Sequence, residues 1–125
     1  MMVLVDTSAW VDHLRRGDPT VGQLLESGRV LAHSFVIGEI ACGTLRARAE
    51  IMGLLGNLPR APMASDEEVL YFIERQALMG RGLGYIDMHL LAAVAIDGAS
   101  RLWTRDKRLG LAAAELGLAH AEASH

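Results

Sequence analysis

Four acidic residues of this 125-residue chain stand inside or directly beside apolar stretches; they are Asp6, Glu39, Asp87 and Asp106. Carboxylates are rarely buried unless they are paired, hydrogen-bonded or bound to a metal. Carboxylates packed together repel one another, and Mg²⁺ or Mn²⁺ relieves this repulsion because it prefers oxygen ligands. Such ions activate water and clamp a phosphodiester. If the four side chains meet in the fold, the residues predict a divalent-cation site.

Two of these acids, Asp6 and Asp106, follow predicted strands directly. Ligands bind at the carboxyl ends of strands in open α/β sheets, so both positions suit a site. The structural alternative for each is a helix N-cap. Thr7 or Ser8 can cap the helix after the first strand, which weakens that alternative for Asp6. Thr104 precedes Asp106 by two residues and has a hydroxyl that can orient a carboxylate.

The other two acids are predicted to lie on helices. Glu39 shares a helical face with Phe35 and Cys42, so it either joins a site or stands at the edge of an apolar stripe with its carboxylate in solvent. Asp87 is either an N-cap or a first-turn carboxylate that points at a metal, and these two interpretations are compatible. We expect Cys42 to be a small buried side chain.

Short apolar strands alternating with amphipathic helices must position these residues. Strands are predicted at residues 2–5, 30–32 and 101–104, with weaker candidates at 61–64 and 118–119. Helices are predicted after Thr7 or Ser8, from Asp18-Pro19, from Ser34 to about residue 46 and on to 58, from a capping box at Ser65, over 87–97 and over 107–116. This order indicates an α/β fold with a central, mostly parallel sheet flanked by helices.

Length and composition limit the class of protein. The chain is predicted to be one domain over residues 1–125, with a frayed tail from about residue 119. We expect a cytoplasmic protein without membrane contact, because no apolar run approaches the roughly 18–20 residues that cross a bilayer. The single cysteine excludes an internal disulfide. A net charge of −3 argues against a generally basic surface but leaves nucleic acid open as a substrate.

Taken in chain order, the motifs resemble those of a known family. Asp6-Thr7-Ser8 ends the first strand, and Glu39 lies in an apolar helix. A glycine-rich loop at 80–84 leads to Asp87-x-x-Leu-Leu-Ala, and Thr104-Arg105-Asp106 stands near the end. This series resembles the PIN-domain ribonucleases, and it is most similar to the VapC toxins of bacterial toxin–antitoxin pairs. The resemblance covers nearly the whole chain.

The resemblance implies a three-layer PIN-like domain with one acidic catalytic and metal-binding site, formed by Asp6, Glu39, Asp87 and Asp106. Glu39 would bind the metal, directly or through water, or position the attacking water. Thr7 or Ser8 would support Asp6, and Thr104 would be the supporting hydroxyl near the end. The implied cofactor is Mg²⁺, with Mn²⁺ as a substitute.

The resemblance also implies a substrate and partners. The expected reaction is endonucleolytic cleavage of RNA, whether tRNA, rRNA or mRNA. The expected assemblies are a homodimer and a heteromeric complex with a VapB-type antitoxin. Candidates for RNA contact are Arg46, Arg81, Arg105, Lys107 and Arg108, although solvated surface is the alternative for each.

Two other functional interpretations stay open at this point. One is a catalytically weak module on a PIN scaffold that binds an antitoxin and regulates an operator. The other is a phosphoryl-transfer α/β domain. A dehalogenase-like phosphatase would need a second acid where Ser8 stands, and a receiver domain would need an acidic pair where Asp6-Thr7 stands.

Overall fold

A parallel β-sheet forms the centre of the domain. The computed structural model describes residues 1–121, and within them the strands β1 (Val3–Val5), β2 (Val30–Leu31) and β3 (Arg101–Trp103) pair in the order β2-β1-β3. Leu4 stands opposite Leu31 on one side and Leu102 on the other. All three residues of β1 are fully buried, which explains the unbroken apolar run of this central strand.

Seven helices flank the sheet within the described residues. They are α1 (Thr7–Arg16), α2 (Pro19–Glu26), α3 (Ser34–Ala41), α4 (Arg48–Asn57), α5 (Asp66–Arg75), α6 (Tyr85–Asp97) and α7 (Lys107–Glu115). Helix α6 is buried at every position from Met88 to Val94, because a helix that is apolar on all sides must lie in the interior. The predicted three-layer α/β fold is confirmed. None of the helices in residues 1–121 combines the length and apolar content needed to cross a bilayer.

Several predicted helix boundaries are wrong. The helix that begins at Ser34 ends at Ala41 instead of near residue 46, and α4 begins only at Arg48 after Ala47 with a φ of 51°. Helix α3 is capped by His33, whose Nδ1 accepts from the backbone N–H of Phe35. Burial lowers the pKa of His33 to about 4, so this side chain is a neutral acceptor near neutral pH. The capping box predicted at Ser65 is present.

Neither of the two weak strand candidates forms a strand. Segment 61–64 forms no strand, and only the neighbouring Arg60 pairs with Ala32. Ala119 pairs with Leu102, and the N–H of His120 donates to the Leu102 carbonyl at 2.9 Å. The beginning of the segment expected to fray is thus hydrogen-bonded to β3. Residues 122–125 of the predicted tail lie outside the described residues.

Candidate active site

The carboxyl ends of β1 and β3 bring the first and last acidic motifs together. Val5 stands opposite Trp103 in the parallel register, so the residues that follow each strand are neighbours. The backbone N–H of Asp6 donates to the Trp103 carbonyl at 3.1 Å. The Thr104 hydroxyl donates to Asp6 Oδ2 at 2.6 Å. Asp6 and Thr104, which are 98 residues apart in the chain, are therefore joined by a direct side-chain hydrogen bond.

Asp6 is both a helix cap and the most buried of the four acids, with 4% of its surface exposed. Its Oδ1 accepts from the backbone N–H of Ala9 at 3.0 Å and from the Ser8 hydroxyl at 2.8 Å. The prediction that Thr7 or Ser8 caps α1 in place of Asp6 is wrong. A carboxylate has about four lone-pair positions, and Asp6 uses them for the cap and for hydroxyls of two segments.

The environment of Asp6 changes the pKa of its carboxyl. Burial raises the pKa of Asp6 above its ordinary value, and the negative charge of Asp87 raises it further. Hydrogen bonds from Thr104, Ala9 and Ser8 act in the opposite direction without cancelling the effect of burial. Asp6 therefore stands where a cation would be stabilising.

Asp106 is the N-cap of α7 and is connected to Asp6 through Thr104. Its Oδ1 accepts from the N–H of Leu109, and its own N–H donates to the Thr104 hydroxyl, each at 2.9 Å. Thr104 thus donates to one acid while it accepts from the backbone of the other. The capping interpretation of Asp106 holds, and it leaves the carboxylate exposed at the edge of the sheet.

Asp87 lies in the first turn of α6 but is not its N-cap. Gly84 is the cap residue, and its N–H donates to Asp87 Oδ2 at 2.9 Å. Partial burial raises the pKa of Asp87, the hydrogen bond from Gly84 opposes this, and the charges of Asp106 and Glu39 raise it again. Asp87 is therefore electrostatically coupled to the other three acids.

Glu39 reaches the cluster from the exposed side of α3. Its Oε1 accepts from the Thr7 hydroxyl at 2.6 Å, which links α3 to the start of α1. Glu39 is exposed to solvent, as expected for a residue at the edge of the apolar stripe of its helix. Cys42 is also exposed, so the expectation of a buried cysteine is wrong. The reason is that α3 ends at Ala41 and turns Cys42 away from the core.

The chemistry of this acidic cluster fits a divalent cation. Its donors are all carboxylate oxygens, and mutual repulsion contributes to the raised pKa of Asp6 and Asp87. As the side chains stand, no three His, Cys, Asp or Glu residues within 1–121 form a group that could hold a metal. Each of the four carboxylates instead accepts a hydrogen bond from the protein. Glu39, Asp87 and Asp106 each accept a single such bond and keep further lone pairs for a cation.

We expect Asp87→Asn to stabilise the metal-free protein more at about pH 7 than at about pH 4. The pKa of Asp87 in the folded protein is raised above its ordinary value of 3.8. Asp87 therefore contributes stability that is fully present below pH 3.8 and is lost as the pH rises through the folded-state pKa. The neutral amide escapes this loss and keeps an oxygen for Gly84. Urea unfolding of both proteins with EDTA measures the difference in free energy of unfolding. A difference that shrinks as the pH rises would contradict the coupling.

The five basic residues proposed for RNA contact differ in their surroundings. The Arg105 guanidinium binds the buried carboxylate of Asp18 at 2.8 and 2.9 Å, while 35% of the arginine side chain stays exposed. Arg81 forms an ion pair with Glu115 at 2.7 Å. Three others, Arg46, Lys107 and Arg108, are exposed. The Arg108 guanidinium lies over Gly82, where a Cβ would collide with it and where φ is +77°.

A groove of about 570 Å³ is lined in part by Glu39 but by none of the other three acids. Its walls come from α1, α3, α4 and the loop before α4, and they include Val11, Leu14, Arg15, Ile40 and Arg46. Its lining combines apolar side chains with two arginines. Glu39 is thus shared between the acidic cluster and this groove.

The structure is a parallel α/β domain with hydrogen-bonded carboxylates where its strands end, the arrangement expected of an α/β enzyme. Comparison with known proteins identifies the family. The PIN domain family profile matches residues 3–115, so the chain belongs to the PIN-domain family. It is 47% identical over 121 residues to Ribonuclease VapC32 of Mycobacterium tuberculosis (strain CDC 1551 / Oshkosh), which covers 97% of this chain and 98% of that protein. The same values hold for Ribonuclease VapC32 of strain ATCC 25618 / H37Rv. The resemblance to VapC proteins is confirmed.

Proposed function

We propose that this chain is a divalent-metal-dependent endoribonuclease. The observation that carries the proposal is the acidic cluster, in which acids from four segments are coupled through charge and through the hydroxyls of Thr7, Ser8 and Thr104. The relatives named ribonucleases, which align over almost the whole chain, support the same activity. The proposed cofactor is Mg²⁺, with Mn²⁺ as a substitute.

Each residue of the cluster has a separate role in this proposal. Asp6, Asp87 and Asp106 would hold the cation, directly or through water, and Glu39 would bind it or position the attacking water. When bound, such an ion would activate water and neutralise charge on the phosphodiester. Thr104 orients the Asp6 carboxylate and fixes the backbone of Asp106. Thr7 holds Glu39 toward α1.

Removing divalent metal is expected to abolish RNA cleavage reversibly. Without a cation nothing offsets the burial and mutual repulsion that raise the pKa of Asp6 and of Asp87, and no group is left to neutralise charge on the phosphodiester. The measurement is cleavage of a panel of tRNA, rRNA and mRNA fragments with Mg²⁺, with EDTA, and after Mn²⁺ is added back. Cleavage that persists in EDTA and equally in Asp6→Asn protein would contradict the proposal, since it would indicate a contaminating nuclease.

We further propose that the protein is the toxin of a type II toxin–antitoxin pair in the cytoplasm. Its VapB-type antitoxin would occupy the groove beside Glu39, and the toxin would also form a homodimer. Membership of the VapC type and the apolar, arginine-flanked walls of the groove support a peptide partner. Co-purification with the product of an adjacent small reading frame, and relief of growth arrest by that product, test the pairing. Light scattering tests the dimer.

A second candidate is a catalytically weak module whose main role is to bind the antitoxin and regulate its operator. One observation favours it: no three potential metal ligands within residues 1–121 stand in a metal-holding group. The two candidates differ in a simple assay. Wild-type protein that binds the antitoxin tightly but never cleaves the RNA panel with Mg²⁺ would favour the binding module.

A further inference from the structure

A buried carboxylate outside the acidic cluster accepts hydrogen bonds through both of its oxygens. Asp18 is the N-cap of α2, and its Oδ1 accepts from the N–H of Thr20 at 2.9 Å. It also binds the guanidinium of Arg105 at 2.8 Å through Oδ2 and at 2.9 Å through Oδ1, and it accepts from Trp103 Nε1 at 3.3 Å. Only 3% of Asp18 is exposed.

Capping alone does not explain a charged residue at this position. An N-cap needs one acceptor oxygen, which Asn, Ser or Thr supplies without burying a charge. The negative charge of Asp18 suits the N-terminus of α2, and it is paired with the guanidinium of Arg105, which it meets in the two-pronged geometry typical of arginine and carboxylate. Arg105 also lies over the Trp103 ring at 4.7 Å, so its guanidinium is held on two sides.

Arg105 stands between two residues of the acidic cluster. Thr104 donates to Asp6, and the N–H of Asp106 donates to Thr104. The N–H of Arg105 itself donates to the Ser8 hydroxyl at 3.1 Å. Residues 104–106 lie between β3 and α7 and have no strand or helix ladder of their own, so side chains must determine their backbone conformation.

We propose that the Asp18–Arg105 pair is a positioning device for the acidic site. By fixing the guanidinium of Arg105, Asp18 sets the direction in which the Thr104 hydroxyl and the Asp106 carboxylate point. Asp18 acts through Arg105 and is a positioning residue, not a catalytic one. This inference rests on the proposed nuclease function for its activity readout, whereas its structural readout is independent of that function.

The first test is Asp18→Asn, which keeps an oxygen for the α2 cap but removes the charge that binds Arg105. We expect kcat for RNA cleavage to fall about 10- to 100-fold, because small displacements of reacting groups have effects of this size, while KM changes less than about twofold. The matched control is Asp12→Asn, which makes the same change in the exposed Asp12–Arg16 pair of α1. That control is expected to keep the wild-type kcat.

The second readout separates positioning from stability. Hydrogen exchange is followed at the amides of Arg105 and Asp106, at a temperature where circular dichroism shows wild type and both variants fully folded. Asp18→Asn is expected to accelerate exchange at these two amides and not at the buried β1 amides. Arg105→Lys, which keeps the charge but loses the two-pronged geometry, is expected to do the same, and it replaces Asp18→Asn if that variant does not fold.

The outcomes are distinct. Unchanged exchange at Arg105 and Asp106 in a folded variant would overturn the positioning role, as would a wild-type kcat in that variant. Accelerated exchange together with a reduced kcat would support it. If the wild-type protein itself cleaves no RNA, the proposed function fails, but the exchange comparison still decides whether Asp18 holds segment 104–106.

Discussion

The Asp6→Asn substitution is expected to reduce the rate of RNA cleavage more than about 100-fold. Replacing even a residue that only supports a metal ligand typically lowers metal affinity or activity about 10- to 100-fold. Asp6 is the most buried acid of the cluster and carries a charge that the proposed cation needs. The amide keeps the shape of the side chain but not the negative charge. Single-turnover cleavage with Mg²⁺ measures the loss.

The same substitution is expected to leave the fold intact and the metal-free protein at least as stable. Burial raises the pKa of Asp6, so near neutral pH the ionised carboxylate is a cost that a neutral amide avoids. The Asn oxygen can still accept from the N–H of Ala9, and its amide can donate to the Ser8 or Thr104 hydroxyl. Thermal unfolding in EDTA tests this expectation.

Asp12→Asn serves as the control for Asp6→Asn as well, since Asp12 is an aspartate of the same helix whose partner is the exposed Arg16. We expect it to cleave RNA like the wild type. Wild-type cleavage by well-folded Asp6→Asn protein would remove Asp6 from the site. A folded Asp6→Asn protein with a lowered melting temperature in EDTA would contradict the expectation that the ionised carboxylate is a cost to folding.

Thr104→Val is expected to reduce cleavage about 10- to 100-fold, the range typical of residues that orient metal ligands. Valine has the shape of threonine but lacks the hydroxyl that donates to Asp6 at 2.6 Å and accepts from the N–H of Asp106 at 2.9 Å. The substitution therefore frees the Asp6 carboxylate and leaves one backbone donor without its acceptor.

This variant should also change the pH dependence of cleavage. The hydrogen bond from Thr104 lowers the pKa of Asp6, so removing it raises that pKa further above its ordinary value. If cleavage requires ionised Asp6, the acidic limb of the pH–rate profile moves to higher pH in Thr104→Val. Thr104→Ser restores the hydroxyl and is expected to recover both rate and profile. A rate loss with an unmoved acidic limb, unchanged in Thr104→Ser, would indicate a packing effect instead.

Local sequence patterns predicted most of the elements because the forces that form them act over a few residues. The apolar run of β1, the Asp18-Pro19 start of α2 and the capping box at Ser65 are all present. Sequence patterns were less informative where the surroundings of a residue depend on contacts that are distant in the sequence. The sequence predicted burial for Cys42, but the early end of α3 exposes it, and no sequence pattern indicated that Asp18 binds Arg105.

The sequence by itself determined that four acidic residues lie among apolar residues, in a chain order that resembles that of PIN domains. Each of them can be recognised from its own local neighbours. Only the tertiary structure decided how they are connected. The parallel register of β1 and β3 joins Asp6 to Thr104 across 98 residues, and the packing of α2 beside the end of β3 joins Asp18 to Arg105 across 87. Such pairings depend on which strands and helices become neighbours, and no local spacing encodes that choice.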